Sequence, residues 1–260
     1  MSETHLWDRA ASLPIPVHGE LRPELVSLSA GLPSVDELFT FARDAELRFE
    51  TLRMRIEDWT STAVGEHLTV VDLAVRHPGQ ARVTTTEPSR GTAANYEVWL
   101  SDGEIVRTYS APHKLGTQRP VRRGVVGLDD PDLPPMSQVY RPLTALPMET
   151  LPDTFVHPAG LCQNVLATGR CWVSGTAEIA GREAILLECD HPRTIEIWAD
   201  RPDHHLQVGF DRESGLIVRL VESIGEETTR TALVVDLSAD APLPPSIFVF
   251  SFPAGTTLIY

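Results

Sequence analysis

From Arg170 to Ile179 apolar and polar positions alternate: Cys171, Val173, Gly175, Ala177 and Ile179 share one face, and Trp172, Ser174, Thr176 and Glu178 the other. A period of two marks a strand with one buried face. Gly181 and Arg182 turn the chain into AILLECD, TIEIWAD from Thr194 repeats the alternation, and LQVGFD, the turn RESG and LIVRLVES follow. Each connection is only a few residues, so sequence neighbours are expected to pair antiparallel. The first half reads the same way. In TLRMRIEDW the residues Leu52, Met54 and Ile56 alternate with Arg53, Arg55 and Glu57. EHLTVVDLAVRHPGQ, ARVTTTEP, NYEVWLSDG and EIVRTYS come next, and Asp102-Gly103 supplies the positive-φ positions that a tight hairpin needs.

Helical spacing appears in two places. Ser34 stands three residues before Glu37, the spacing of a capping box, and Leu38, Phe41, Ala42, Ala45 and Phe49 then recur every three or four residues. This predicts a helix from Val35 to Thr51 lying across the sheet. A shorter one is expected in AGLCQNVLATG, ending at Gly169. Between the halves, residues 111–158 hold nine of the 21 prolines and show no period for most of their length, which predicts a functional loop, lid or insertion with room for short helices at SQVYRPL and PMETL. At the end, SIFVFSFPAGTTLIY sets Phe248, Phe250 and Phe252 against Ile247 and Val249. That pattern predicts a strand covered on both faces, broken at Pro253 and Gly255.

The sequence of these phrases resembles the bacterial lipoprotein-carrier superfamily, which includes the LolA and LolB carriers, LppX-like lipid carriers and RseB-like stress sensors. The matching positions are Val208, Phe210, Asp211, Gly215, Leu216 and Arg219, then Phe250, Phe252, Pro253, Gly255, Thr256 and Ile259. RHPGQARVTT resembles a strand corner of that family, and SDGEIVRTY one of its hairpins. The resemblance implies an α+β fold: a strongly curved antiparallel β-sheet, a half-barrel of about ten strands, with helices packed in the concave side. It implies one LolA-like domain over residues 34–260, with an extended lead-in at 1–33 and the irregular insertion at 111–158. The activity it implies is non-enzymatic binding or carriage of a lipid, an acyl chain or a lipidated or hydrophobic protein segment. The alternative is an RseB-like regulatory, protein-interaction module without bound lipid.

Physical reasoning leads to the same place. So many strands with one apolar face are too wide for a single helix to cover, so the sheet must curl, and a curled sheet closed by helices and loops tends to leave an apolar cavity. The candidate cavity residues are Leu52, Met54, Ile56, Val71, Leu73, Val98, Leu100, Val173, Leu186 and Phe210.

Composition narrows the function classes. The chain is 42% hydrophobic and 22% charged, with a formal net charge of −14 from 22 basic and 36 acidic residues. That balance opposes a nucleic-acid partner, which needs clustered Lys and Arg. No apolar run approaches the roughly 20 residues of a membrane span. The segment after Met1 has no basic region followed by an apolar one, and no cysteine for a lipid anchor. The expectation is therefore a cytoplasmic protein, or an extracytoplasmic one if the true start lies upstream. Three cysteines, Cys162, Cys171 and Cys189, without a CxxC read as buried free thiols. Asp190, His191, Asp203, His204 and His205 contain metal-ligand types, but adjacent histidines on a strand point to opposite faces and no HxH or HExxH spacing occurs. There is no G-x-S-x-G and no phosphate-cradling glycine loop. Neither a catalytic residue, a metal nor a cofactor is expected.

Overall fold

The computed structural model of the chain describes residues 25–88, 95–121, 142–192 and 203–259. Among these residues twelve strands form one open, curved sheet. β1 (Thr51–Thr62), β2 (Gly65–Arg76), β3 (Gln80–Thr86), β4 (Tyr96–Asp102), β5 (Ile105–Ser110) and β6 (Leu115–Pro120) make one antiparallel meander. β7 (Arg170–Ile179), β8 (Arg182–Asp190), β9 (His204–Asp211), β10 (Ile217–Ile224) and β11 (Glu227–Ala239) make a second. The two join where β1 pairs with β11, Leu52 opposite Ala239 and Met54 opposite Leu237. β12 (Thr257–Ile259) adds in parallel to the outer side of β6. This is the α+β half-barrel that the sequence predicts, with twelve strands where about ten were expected. TIEIWAD and the lead-in up to residue 24 lie outside the described residues, as do most of SQVYRPL and residues 122–141 of the proline-rich stretch.

The strands obey the predicted alternation. Leu52, Met54 and Ile56 are at most 1% exposed, while Arg53 and Arg55 face solvent. On the same face, β2 sets Val75, Leu73 and Val71 opposite them. Each such side chain, once fully buried, contributes about 1.5–3 kcal/mol.

The concave face is covered by α1 (Val35–Arg43), α2 (Leu151–Val156) and α3 (Pro158–Asn164), with 3-10 turns at Ala45–Arg48 and Leu166–Thr168. The capping box of α1 forms as expected: the Ser34 hydroxyl accepts from the Glu37 amide at 3.3 Å, and the Glu37 carboxylate accepts from the Ser34 amide at 2.8 Å. All five residues of its apolar stripe are buried. The helix stops at Arg43 instead of reaching Thr51, because the chain must turn to enter β1. Arg48 stabilises that turn by donating to the Phe41 carbonyl at 2.8 Å and stacking over the Phe41 ring at 4.0 Å. α1 packs against β7 and α3, and α2 against β10, so that Leu38, Phe155, Val156 and Leu166 share one core with Leu52, Met54, Ile56 and Phe210.

One turn dictates how closely α1 can approach. Gly215, at φ 77°, sits where a Cβ would lie 3.2 Å from the Cα of Ala42 and from the ring of Phe41. Asp211, 1% exposed, holds the same turn by accepting from the Ser214 amide and hydroxyl.

Three expectations are corrected. The stretch 111–158 contains an unpredicted strand, β6, which is recognisable only through its pairing with β5 because its own pattern is polar. A helix does form near PMETL, but it begins at Leu151. The terminal segment is not a doubly covered strand. Its two prolines start a 3-10 turn at Pro245–Phe248, and the chain then crosses the convex face. There Phe248 packs with Leu243 and Ala74, and Phe250 and Phe252 pack with Val98, Leu100 and Tyr109. Only Thr257–Ile259 pairs, and its side chains are exposed.

A cleft at the open half of the concave face

From β1 to β6 each strand pairs antiparallel with the one before it, and the register fixes which side chains stand side by side. One row across the concave face reads Leu73, Val83, Trp99, Thr108, Thr117 and Ile259. The next reads Val71, Thr85, Glu97, Ser110 and Leu115. Both rows pass from aliphatic near the centre to hydroxyl-bearing on β5, beyond which Leu115 and Ile259 bring apolar side chains back at the edge. Thr108 and Thr117 hydroxyls share a hydrogen bond at 2.6 Å, and the Ser110 hydroxyl donates to Glu97 at 3.0 Å.

The helices cover the other half of this face and fill it. Over β3 to β6 they do not reach, and a cleft of about 600 Å³ opens there. Val71, Val83 and Trp99 form its apolar floor, and Pro147, Leu151 and Pro152 form a wall. Such a volume lies within the roughly 300–1,000 Å³ of small-molecule sites. At the inner end Asp58, 8% exposed, continues the stripe of Leu52, Met54 and Ile56 as a carboxylate. Arg230 clamps it with two bonds, at 2.9 and 3.0 Å, and has Glu222 3.7 Å away. Burial disfavours the Arg230 charge, but its bonds to Asp58 outweigh this and hold its pKa above the ordinary value.

The wall is tied down by a buried histidine. His157 bonds Asp153 of α2 at 2.8 Å through Nδ1 and has Glu46 of the first 3-10 turn 3.4 Å from Nε2. Burial lowers its pKa, but the two carboxylates raise it more, to about 9, so the imidazolium bridges the two segments at neutral pH. Glu46 also accepts from the Leu143 amide at 2.9 Å, which fixes the chain entering the wall.

The ten candidate cavity residues separate. Leu52, Met54, Ile56, Leu73 and Phe210 are buried in the core beneath the helices, and Val173 packs against it. Val71 lies both in that core and in the cleft. Val98 also lines the cleft, yet with Leu100 it packs against the aromatic residues of the convex face. Leu186 is half-buried, and the neighbour of its register partner Gly209 is the core residue Val208. Trp99, Val83, Glu97, Asp58 and Arg230 were missed. Counting the register back from the Asp102-Gly103 hairpin would have placed Trp99 opposite Thr108.

The other titratable clusters are structural. On the convex face His205 bridges Asp190 and Glu188 at 2.8 and 2.9 Å, and both carboxylates offset the burial that lowers its pKa. The three thiols are free, and Cys171 and Cys189 face each other across β7 and β8. Burial pushes Cys162 up to about 12. Among the described residues no group of three His, Cys, Asp or Glu is arranged to hold a metal, and no helix is long and apolar enough to cross a membrane.

No family model matches the chain, and no curated protein does. Among solved structures it is similar to MucB, at 12% identity and a TM-score of 0.48, covering 84% of this chain and 62% of that one. It is similar to an uncharacterized conserved protein from Thermus thermophilus, at 7% identity and 0.47, covering 86% and 98%. It is also similar to the lipoprotein LppX of Mycobacterium tuberculosis, at 12% identity and 0.41, covering 80% and 98%. The chain thus spans less than two thirds of the length of MucB. These are similarities of fold, and what the chain binds has to be argued from its own geometry.

Proposed function

We propose that the chain is a non-enzymatic binding protein that holds an amphiphile, a lipid or an acyl chain, in the cleft over β3 to β6. The observation that carries this reading is the mixed lining: Val71, Val83, Trp99 and Leu151 toward the centre, Thr108, Thr117, Ser110 and Glu97 beyond them, and Leu115 and Ile259 at the edge, around about 600 Å³. A site of this form desolvates a hydrocarbon tail and leaves a polar head hydrogen-bonded. Titration with a hydrophobic fluorophore should saturate at one site, and Thr85→Trp, which fills the cleft from a half-buried position on β3, should abolish binding while circular dichroism shows the sheet intact. Binding no stronger than to a filled globular control rejects the reading.

A second reading, a regulatory or protein-interaction module without bound lipid, is favoured by one observation. β7 is an outer strand of the sheet, and it presents Trp172, 39% exposed, with Arg170 stacked over it at 5.7 Å. Aromatic and arginine side chains are the commonest interface anchors. Mass spectrometry of an organic extract of the purified protein separates the two, since only the first predicts co-purified lipid.

A further inference from the structure

Charged groups as well as apolar surface line the cleft. Among the described residues that line it, the charged groups are two carboxylates, Asp58 and Glu97, and one guanidinium, Arg230. That guanidinium is already committed, held in two-pronged fashion by Asp58 with Glu222 close by. Along the polar side Glu97 stands exposed, and its register neighbours are Thr85 and Ser110. A carboxylate can only accept hydrogen bonds, and hydroxyl oxygens readily do so. An anionic head group would meet Glu97 with like charge and find, among the described lining residues, no uncommitted cation to offset it. A head group that donates hydrogen bonds meets acceptors instead.

We infer that the ligand of this cleft carries a head group without negative charge that donates hydrogen bonds, an ammonium or a polyol, and that Glu97 is the residue that selects it. This rests on the cleft being the ligand site. The discrimination comes from Glu97 because Asp58 is neutralised by its partner, whereas Glu97 bonds only a neutral hydroxyl, that of Ser110. Salt should narrow it, as expected for an exposed charge.

The test uses three probes of one chain length: dodecylamine, monolauroylglycerol and dodecanoate, titrated by calorimetry into the whole protein below their micelle concentrations. The amine and the glyceride are expected to bind at least about tenfold more tightly than dodecanoate, a difference of about 1.4 kcal/mol. An acidic protein attracts any cation, so the preference must also be local. In Glu97→Gln the dodecanoate affinity should rise toward that of the glyceride, and the advantage of the amine over dodecanoate should shrink. Dodecanoate binding as tightly as the amine overturns the head-group inference and leaves the cleft standing. An unchanged preference in Glu97→Gln overturns the role of Glu97. Binding of none of the three removes the cleft reading and this inference with it.

Discussion

Arg182 grips Asp211 with two parallel bonds, Nε to Oδ1 at 2.7 Å and Nη2 to Oδ2 at 2.9 Å, joining the start of β8 to the end of β9. Asp211 is the acidic residue of the turn phrase that resembles the carrier family, and its place at the foot of α1 gives it a structural task. Burial raises its pKa, but Arg182 and the Ser214 hydroxyl and amide lower it further, below the ordinary 3.8. A depressed carboxylate stabilises the fold above its unfolded pKa and loses that contribution as pH falls through the folded value. Asp211→Asn weakens two of the three bonds of a partly buried guanidinium, which keeps Glu213 at 2.7 Å, and should cost about 2 kcal/mol. Acid titrations followed by circular dichroism should show the wild type losing stability below about pH 4 and the variant losing much less there.

His157 has the opposite sign. Its folded pKa is raised from 6.5 to about 9, so its contribution is complete below pH 6.5 and is lost as pH climbs through 9. The alkaline loss should be about 3 kcal/mol. Urea midpoints measured on both sides of this window should differ in the wild type, and His157→Gln should remove most of the difference. Equal slopes in the two proteins would show that the Glu46–His157–Asp153 bridge is energetically idle.

Two glycines with similar backbones separate strain from crowding. Gly215 (φ 77°) faces Ala42 and Phe41 at 3.2 Å, whereas Gly181 (φ 73°) has nothing within 4 Å of the position a Cβ would take. Gly181→Ala should cost about 1 kcal/mol, the left-handed penalty alone. Gly215→Ala should cost about 2–3 kcal/mol because overpacking adds to it. Thermal melts giving equal losses would mean that α1 yields freely at this contact.

Trp99 supplies the largest apolar surface on the cleft floor. Its replacement by alanine should weaken amphiphile binding about tenfold or more, since an aromatic of this kind buries about 150–250 Å². Competition titrations with the fluorophore read this directly. An unaltered affinity would place the ligand elsewhere on the molecule.

On the convex face Phe250 and Phe252 lie edge to face, their centroids 5.5 Å apart, and both approach Tyr109. They are half-buried, so each alanine substitution should cost about 2 kcal/mol, less than the roughly 3–5 of a fully enclosed phenylalanine. Deleting residues 247–260 should also bare β6. Light scattering should then report association, and a truncated protein that stays monodisperse and melts near the full-length temperature would rule out a protective role.

The elements with a strong local period were readable without coordinates. The alternation in β1 and β7, the stripe and capping box of α1 and the turn at Asp102-Gly103 all follow from side chains next to one another in sequence. β6 was not readable, because LGTQRP has no apolar face of its own and becomes a strand only when β5 lies beside it. SIFVFSF was misread for a related reason. Its phenylalanines alternate like a strand's, yet what they bury against is the back of the sheet rather than a second layer. The site suffered most. Sequence shows which positions are apolar, but which of them lie under helices depends on where three short helices end. Leu52 and Trp99 stand on the same face, and only the reach of α2 makes one a core residue and the other part of a floor.

The pairing of β1 with β11 carries a kinetic consequence. Within each meander most strands zip onto the one before them through a short turn, and such hairpins close in about 1–10 μs. The ladder that sets Leu52 opposite Ala239 has no such turn and must wait for segments far apart along the chain to meet. Contacts of that separation slow folding by orders of magnitude relative to local ones. Refolding should therefore pass through a state in which two half-sheets exist with their inner edges bare, and the rate of their union should fall steeply with substitutions at Met54 or Val234, which face each other's strand, and hardly at all with substitutions in the Asp102-Gly103 hairpin. The seam that makes the sheet continuous is then also the place where a second copy of the chain can intrude, by offering its own β11 to a waiting β1.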